Sequence, residues 1–234
     1  MPRPNRLAAI ALAAAVATAI AGCATTVELP PPPDSRPLIE AILVAGQPPL
    51  VRVRSIGSSD RGSLVDPAQV RLRIGPAGGN LVALASANPA EGTFGAPLSI
   101  EPGRRYRLEG TVGSAAIRAE TLIPASLEVI EPAGPVPGGA DRVPYRLRSV
   151  GATVFSLDHG AFEANRLSHS RDTVGGLFVA PVGPDRQPAE LTFFALNRDG
   201  ERYLFSLAAA EGNVAGALGV FGGAIAVRRP IRWP

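Results

Sequence analysis

Alternation of apolar and charged residues, broken every few positions by proline or glycine, constrains this chain more than any other feature. Val70-Arg71-Leu72-Arg73-Ile74, Tyr106-Arg107-Leu108-Glu109-Gly110 and Ile117-Arg118-Ala119-Glu120-Thr121 each switch character at every step. Side chains of an extended strand point to opposite faces in turn, so such runs offer one face to a core and the other to water. A helix cannot use this pattern, because its apolar stripe needs a period near 3.6. The 24 prolines and 26 glycines, with 5% aromatic residues, agree with many short strands joined by turns.

Further strands are expected at 39–44, 50–54, 81–85 and 127–130. Gly57-Ser58-Ser59-Asp60, Gly75-Pro76, Gly78-Gly79-Asn80, Asn88-Pro89 and Glu101-Pro102-Gly103 supply the turns. About seven short strands over residues 36–130 imply an all-β body that begins with an immunoglobulin-like β-sandwich. Residues 131–140 are rich in proline and glycine and read as a linker. A second, smaller β-rich domain is expected at 141–234, with strands at 145–150, 153–157, 177–182, 191–196, 203–207 and 218–227. Helical turns are expected at 160–165 and 207–211.

The amino terminus carries a different signal. Arg3 and Arg6 precede an alanine-rich apolar run from Leu7 to Ile20, the pattern of a secretion signal, too short and too weakly flanked for a mature spanning helix. It ends in Ile20-Ala21-Gly22-Cys23, which resembles the lipobox of bacterial lipoproteins. Residues 1–22 are therefore expected to be a signal peptide, cut so that Cys23 becomes the acylated first residue. Several acyl chains on one cysteine hold stably in a bilayer, where one chain holds marginally. Residues 23–35 follow as a stalk, because the four consecutive prolines Pro30 to Pro33 impose an extended polyproline II path. Ala24 and Thr25, rather than aspartate, follow Cys23; by analogy with lipoprotein sorting in diderm bacteria this favours the outer membrane.

Composition excludes several chemistries. All 23 basic residues are arginine, so no P-loop lysine or Schiff-base lysine exists. Cys23 is the sole cysteine, which leaves the body without disulfide or thiol chemistry. Loss of Arg3 and Arg6 with the signal leaves 21 arginines against 20 acids. That near-neutral balance points to no polyanionic partner, and nucleic acid is not expected. Arg52 and Arg54, Arg71 and Arg73, and Arg105 and Arg107 are read as solvated strand faces, and Arg228 to Trp233 as a frayed basic terminus. The glycines at 212, 216, 219, 222 and 223 are too irregular for a dinucleotide fingerprint. They read instead as a strand whose glycines permit close packing, with Phe221 buried. No cofactor is implied.

One polar cluster has the ingredients of a site: Asp158-His159, Glu163, Ser168-His169-Ser170 and Asp172. Histidines and carboxylates that converge can hold a metal, and a serine with a histidine in reach of a carboxylate can attack an acyl group. The two histidines are ten residues apart, without His-x-x-x-His spacing, and no Gly-x-Ser-x-Gly elbow occurs. Asp158, His159, His169 and Asp172 are accordingly the candidate ligand-contacting residues, with no metal site and no catalytic residue assigned.

The lipobox, the strand Ile39-Glu40-Ala41-Ile42-Leu43-Val44-Ala45-Gly46, Ala68-Gln69-Val70-Arg71-Leu72, Gly92-Thr93-Phe94 with Tyr106-Arg107-Leu108, Tyr203-Leu204, and Asn213-Val214-Ala215-Gly216-Ala217-Leu218-Gly219-Val220-Phe221-Gly222 together carry a resemblance. They resemble lipoproteins classed as a domain of unknown function, found chiefly in Bacteroidota and often encoded beside TonB-dependent outer-membrane receptors. The resemblance spans most of residues 36–224; the chain departs from it in being shorter and in having Ala217 where a second glycine is usual. It implies a non-catalytic binding or accessory lipoprotein of the cell envelope, with a TonB-dependent receptor as partner, and carries over no catalytic residues. The alternatives are an envelope hydrolase using the Asp158 to Asp172 loop, and an adhesin or assembly module.

If the lipobox is read correctly, cells fed radiolabelled palmitate will label the wild-type protein and not the Cys23→Ala variant. Labelling that survives this substitution would contradict the anchor.

Overall fold

The computed structural model describes residues 36–55, 63–138, 142–158, 165–169, 173–178, 190–205 and 212–232. The alternating runs become strands. Val70, Leu72 and Ile74 are buried while Arg71 and Arg73 are exposed, and Ile117, Ala119 and Thr121 are buried between exposed Arg118 and Glu120. The expected all-β, sandwich-type fold is the observed one.

One large sheet organises everything else. Its strands run β14 (Asn165–His169), β13 (Val154–Asp158), β16 (Glu190–Leu196), β18 (Leu218–Arg232), β1 (Pro37–Val44), β2 (Leu50–Ser55), β7 (Thr93–Gly95) and β6 (Ala85–Asn88). Two short strands join it: β3 (Ser63–Leu64) on β2, and β11 (Val136–Pro137) on β18. A five-stranded sheet contains β17 (Val214–Ala215), β9 (Ala115–Leu122), β8 (Arg105–Val112), β4 (Val70–Pro76) and β5 (Val82–Ala83). A three-stranded sheet contains β10 (Ser126–Glu131), β12 (Val143–Val150) and β15 (Thr173–Phe178).

The large sheet buries its inner face in two cores. Ile39, Ala41, Leu43, Val51, Val53 and Phe94 pack with Leu72, Tyr106, Leu108 and Ile117 of the five-stranded sheet. Phe155, Leu157, Leu191, Phe193 and Ala195 pack with Tyr145, Leu147, Val174 and Phe178 of the three-stranded sheet. In the first core Tyr106 is fully buried, and its hydroxyl accepts from the Glu101 amide at 2.8 Å, so the polar tip of a core aromatic is satisfied.

These cores correct the expected domain limits. Residues 36–130 do not close a sandwich alone, because Val214, Ala217 and Phe221 complete the first core. The strand at 126–131 belongs to the second core, where Leu127 and Val129 pack and where it pairs with β12. The proline-rich stretch is not a free linker either: Val136 is fully buried, Val136 and Pro137 pair with Ile231 and Arg232, and the Gly138 amide donates to the Arg232 carbonyl at 2.8 Å. That pairing also orders the basic terminus as far as Arg232, so these residues are strand rather than frayed chain. Residues 34–234 form a single compact unit.

β18 makes this continuity. Its first half pairs in parallel with β1, from Leu38 opposite Leu218 to Val44 opposite Ala224. Its second half pairs antiparallel with β16, from Leu196 opposite Ala224 to Glu190 opposite Pro230. The glycines serve close packing, as expected, with Phe221 fully buried. Gly219 has φ +109, and a Cβ there would collide with the backbone of Ile39.

Residues 203–205, read from sequence as the start of a strand, lie instead in helix α1 (Arg198–Phe205). The helix starts at Asn197, whose side-chain oxygen accepts from the Gly200 amide at 2.8 Å, with Asp199 and Glu201 in the first turn and Arg202 in the last. This arrangement satisfies an orphan amide and matches charge to the helix ends. The same Asn197 oxygen accepts from the Gly223 amide at 3.0 Å, and its nitrogen donates to Thr121 Oγ1 at 2.7 Å and to the Leu122 carbonyl at 2.9 Å. Asn197 thus ties α1, β18 and β9 together from a buried position. Replacing it with alanine strands several buried groups, each worth roughly 1–3 kcal/mol. Urea unfolding of Asn197→Ala should show a loss of about 3 kcal/mol in one transition; a loss under about 1 kcal/mol would mean water replaces the amide freely.

Candidate functional site

Among the described residues, the outer face of the large sheet is only partly covered. Even-numbered residues of β1 and β16 point to this side, where Ile42, Val44, Phe194 and Leu196 gather with Val154 and Ala224 in a small apolar cluster. Helix α1 lies across β18 next to this patch. It can approach because glycine faces glycine: a Cβ on Gly222 would sit 2.5 Å from the Gly200 amide nitrogen. The helix shields part of the cluster and leaves a groove beside it.

The groove has a volume of about 390 Å³, within the range that holds small organic molecules. Its floor is Ile42, Val44, Phe194 and Leu196, and α1 contributes Tyr203 and Leu204. Charges stand around the apolar floor: among the described lining residues Glu40, Glu91 and Asp158 are carboxylates and Arg52 is a guanidinium. Arg52 lies opposite Glu40 in the β1–β2 register and 3.9 Å from Glu91. Leu50 and Leu204, on the rim, are 54% and 36% exposed, so the groove opens to solvent.

Burial pushes the Tyr203 hydroxyl above the ordinary tyrosine pKa, the Glu40 carboxylate raises it further, and Arg52 and Arg54 oppose the rise. A phenolate is disfavoured both by removal from water and by a nearby negative charge. Tyr203 is therefore a neutral hydrogen-bonding group throughout the physiological range.

The residues singled out from the sequence scatter. Asp158, at the end of β13, lines the groove. His169 lies on the neighbouring strand β14, paired in register with Val154. Asp158 lies four positions further along β13, about 13 Å on an extended strand, so the ladder does not bring the two together. Cys23, His159, Glu163 and Asp172 lie outside the described residues. Among the described residues no group of three or more His, Cys, Asp or Glu side chains is placed to share a metal ion.

The arginine pairs do not form one basic face. Arg52 and Arg54 lie on the large sheet, whereas Arg73, Arg105 and Arg107 lie on the five-stranded sheet. There Arg107 pairs with Glu109 at 3.4 Å and Arg105 with Glu120 at 3.8 Å. Sequence reading missed the groove because its walls come from strands distant in the chain; the legible local sign was Asn197 ahead of Asp199 and Glu201, which marks a helix start.

No family model matches the chain, and no curated protein shows significant similarity to it. Among the described residues, no helix is long and apolar enough to cross a membrane.

The electrostatic coupling at the groove is measurable. Glu40→Gln removes a negative charge near Tyr203, so the hydroxyl pKa should fall toward 10; Arg52→Leu should move it up. Titration of ring-labelled tyrosine by NMR follows both shifts, and a Tyr203 pKa indifferent to Glu40→Gln would contradict the arrangement.

Proposed function

We propose that this protein is a lipid-anchored lipoprotein of the bacterial cell envelope, most simply of the outer membrane, that binds a ligand through the groove beside α1 and turns over no substrate. The observation that carries the anchoring is the run Ile20-Ala21-Gly22-Cys23 directly after an apolar segment and before a proline stalk. The observation that supports binding is the groove's lining. Among the described residues its floor is apolar and polar groups share the lining, the mix of apolar surface and orienting groups that small-molecule sites use. Nucleophilic catalysis needs an activated nucleophile beside a base. Among the described residues, the lining offers Thr93 and Tyr203 as hydroxyls and no serine, cysteine or histidine.

A role beside a TonB-dependent receptor in outer-membrane uptake rests on the resemblance of the lipobox and the glycine-rich end to the Bacteroidota lipoproteins. The competing reading, an envelope hydrolase using the Asp158 to Asp172 loop, draws on one specific observation: Asp158 lines the groove.

Two arms separate the readings. A photo-crosslinking amino acid placed at Leu204, on the groove rim, should capture a ligand in intact cells, whereas one at Leu177, 58% exposed on the three-stranded sheet, should not. Equal capture at both positions would remove the groove from the proposal. The double substitution His159→Ala and His169→Ala should leave capture and metal content unchanged. Loss of a bound metal or of an activity in that variant would put the hydrolase in its place.

A further inference from the structure

We propose that the outer face of the five-stranded sheet lies against the phosphate headgroups of an anionic bilayer, the membrane in which Cys23 is held. The choice of a bilayer rests on the lipoprotein reading above; the charge of the face does not.

Strand register assembles the face. Arg73, Glu109 and Arg118 stand side by side across β4, β8 and β9, and Arg107 stands beside Glu120 in the next row. Residues opposite one another in a ladder, and residues two apart on a strand, share a face, so Arg71 and Arg105 belong to it too. The alternate positions, among them Leu72, Ile74, Tyr106, Leu108 and Ile117, turn inward and are buried. Neighbouring strands lie about 4.8 Å apart and alternate residues of one strand about 6.8 Å apart, so the five guanidinium groups crowd into one patch.

The charge of this patch is one-sided. Five arginines share it with two glutamates, which leaves sixteen arginines against eighteen acids in the rest of the chain after Cys23. A nearly neutral chain thus gathers its positive excess on one surface. Both carboxylates are already matched: Glu109 lies 3.4 Å from Arg107 and 3.8 Å from Arg118, and Glu120 lies 3.8 Å from Arg105. Among the described residues Arg71 and Arg73 pair with no carboxylate, and Arg73 donates instead to the Leu81 carbonyl at 3.0 Å. The turns at 77–81 and 113–114 carry no charge, and Arg104, in the turn before β8, is paired with Glu101 at 2.6 Å. Asp66, ahead of β4, is engaged with the Ala68 amide at 2.9 Å.

The chemistry of the partner follows. Guanidinium forks match phosphate oxygens two at a time. Exposed ion pairs hold weakly, so Arg105, Arg107 and Arg118 can turn from a carboxylate to a phosphate with little loss. Single-stranded nucleic acid binds where bases stack on aromatic rings. Among the described residues the outward positions of this sheet carry none, the ring of Tyr106 being buried. A bilayer needs no stacking platform, only an array of phosphates facing an array of arginines, and weak contact suffices for a tethered protein. The thirteen residues 23–35 reach at most about 45 Å, which keeps the body at high local concentration beside the membrane surface.

The test uses the full chain, expressed with its own signal and purified from membranes, on vesicles of phosphatidylcholine alone or with about 30% phosphatidylglycerol. Flotation with the neutral vesicles reads the anchor. Contact of the face is read by energy transfer to acceptor-labelled headgroups from a dye on Ala116→Cys, an exposed position opposite Thr111, with Leu177→Cys on the three-stranded sheet as control. Phosphatidylglycerol should raise transfer at least about two-fold from position 116 and leave position 177 unchanged. Salt at about 0.5 M, where screening acts within about 4 Å, should cancel the rise. Arg71→Gln combined with Arg73→Gln should remove at least half of it, with an unchanged circular dichroism spectrum as the check on folding, whereas Glu109→Gln should increase it. No rise, an equal rise at both positions, or a rise untouched by the two arginine substitutions would overturn the proposal while leaving an observed anchor in place. If the chain floats only with anionic vesicles and loses this in the arginine variant, the lipoprotein reading falls and the contact of the face with headgroups stands. If it floats with neither, both fall. Single-stranded DNA that displaces the face from anionic vesicles at physiological salt would put nucleic acid in place of the bilayer.

Discussion

The buried amide of Asn197 is the interaction on which the rest of the architecture turns. An asparagine side chain offers two donors and one acceptor oxygen with two lone pairs, and here every one of these is used. Its nitrogen reaches β9 of the five-stranded sheet, its oxygen reaches β18 of the large sheet, and the same oxygen caps α1. Neither aspartate nor leucine of similar size could serve: the first would set a carboxylate against the Leu122 carbonyl, and the second would leave the Gly223 and Gly200 amides without acceptors. Networks of this kind, fully satisfied in a low-dielectric interior, fix one arrangement of the elements they join.

From that fixed point the groove follows by geometry. Capping at Asn197 directs α1 back across β18, and the glycine pair Gly200 and Gly222 lets the helix come close to the strand. The eight described residues of α1 do not cover the whole apolar patch formed by β1, β16 and β13. Among the described residues, what is left is an open apolar surface beside charged groups, and such surfaces on folded proteins usually serve contact with something else. The groove is thus a consequence of a short helix on a wide sheet, with Tyr203 and Leu204 as one wall.

What the sequence discloses depends on how local the determinant is. Strands such as 70–76 and 115–122 were legible because period-two burial is written residue by residue along each segment. Phe221 was legible for another reason, the glycines around it that permit close packing, since residues 218–224 are buried at every position rather than alternately. The partner of a strand is not written locally: nothing in Leu218 to Ala224 specifies that it lies parallel to Leu38 to Val44, and residues 131–140 read as a linker because Val136, buried in the structure, is surrounded by proline and glycine. α1 was misread because Tyr203, Leu204 and Phe205 are typical strand residues, while its cap lies outside the segment. Of the site, only Asp158 stood out in advance. The apolar floor could not, since Ile42, Val44, Phe194 and Leu196 look like any other core residues until their strands are arranged.

The position of β18 has a bearing on how the protein comes to be folded at all. Leu38 and Leu218, about 180 residues apart in sequence, are neighbours in the finished sheet, and the closing strand supplies Phe221 to one core and Ile231 to the other. Contacts between such remote segments form late, because the chain must surrender the entropy of closing a very long loop before they repay it. Neither core can reach its final packing until the last segment has been synthesised and inserted. A nascent or shortened chain therefore remains an incomplete sheet with an open edge, and commitment to the folded state waits for its carboxyl-terminal strand.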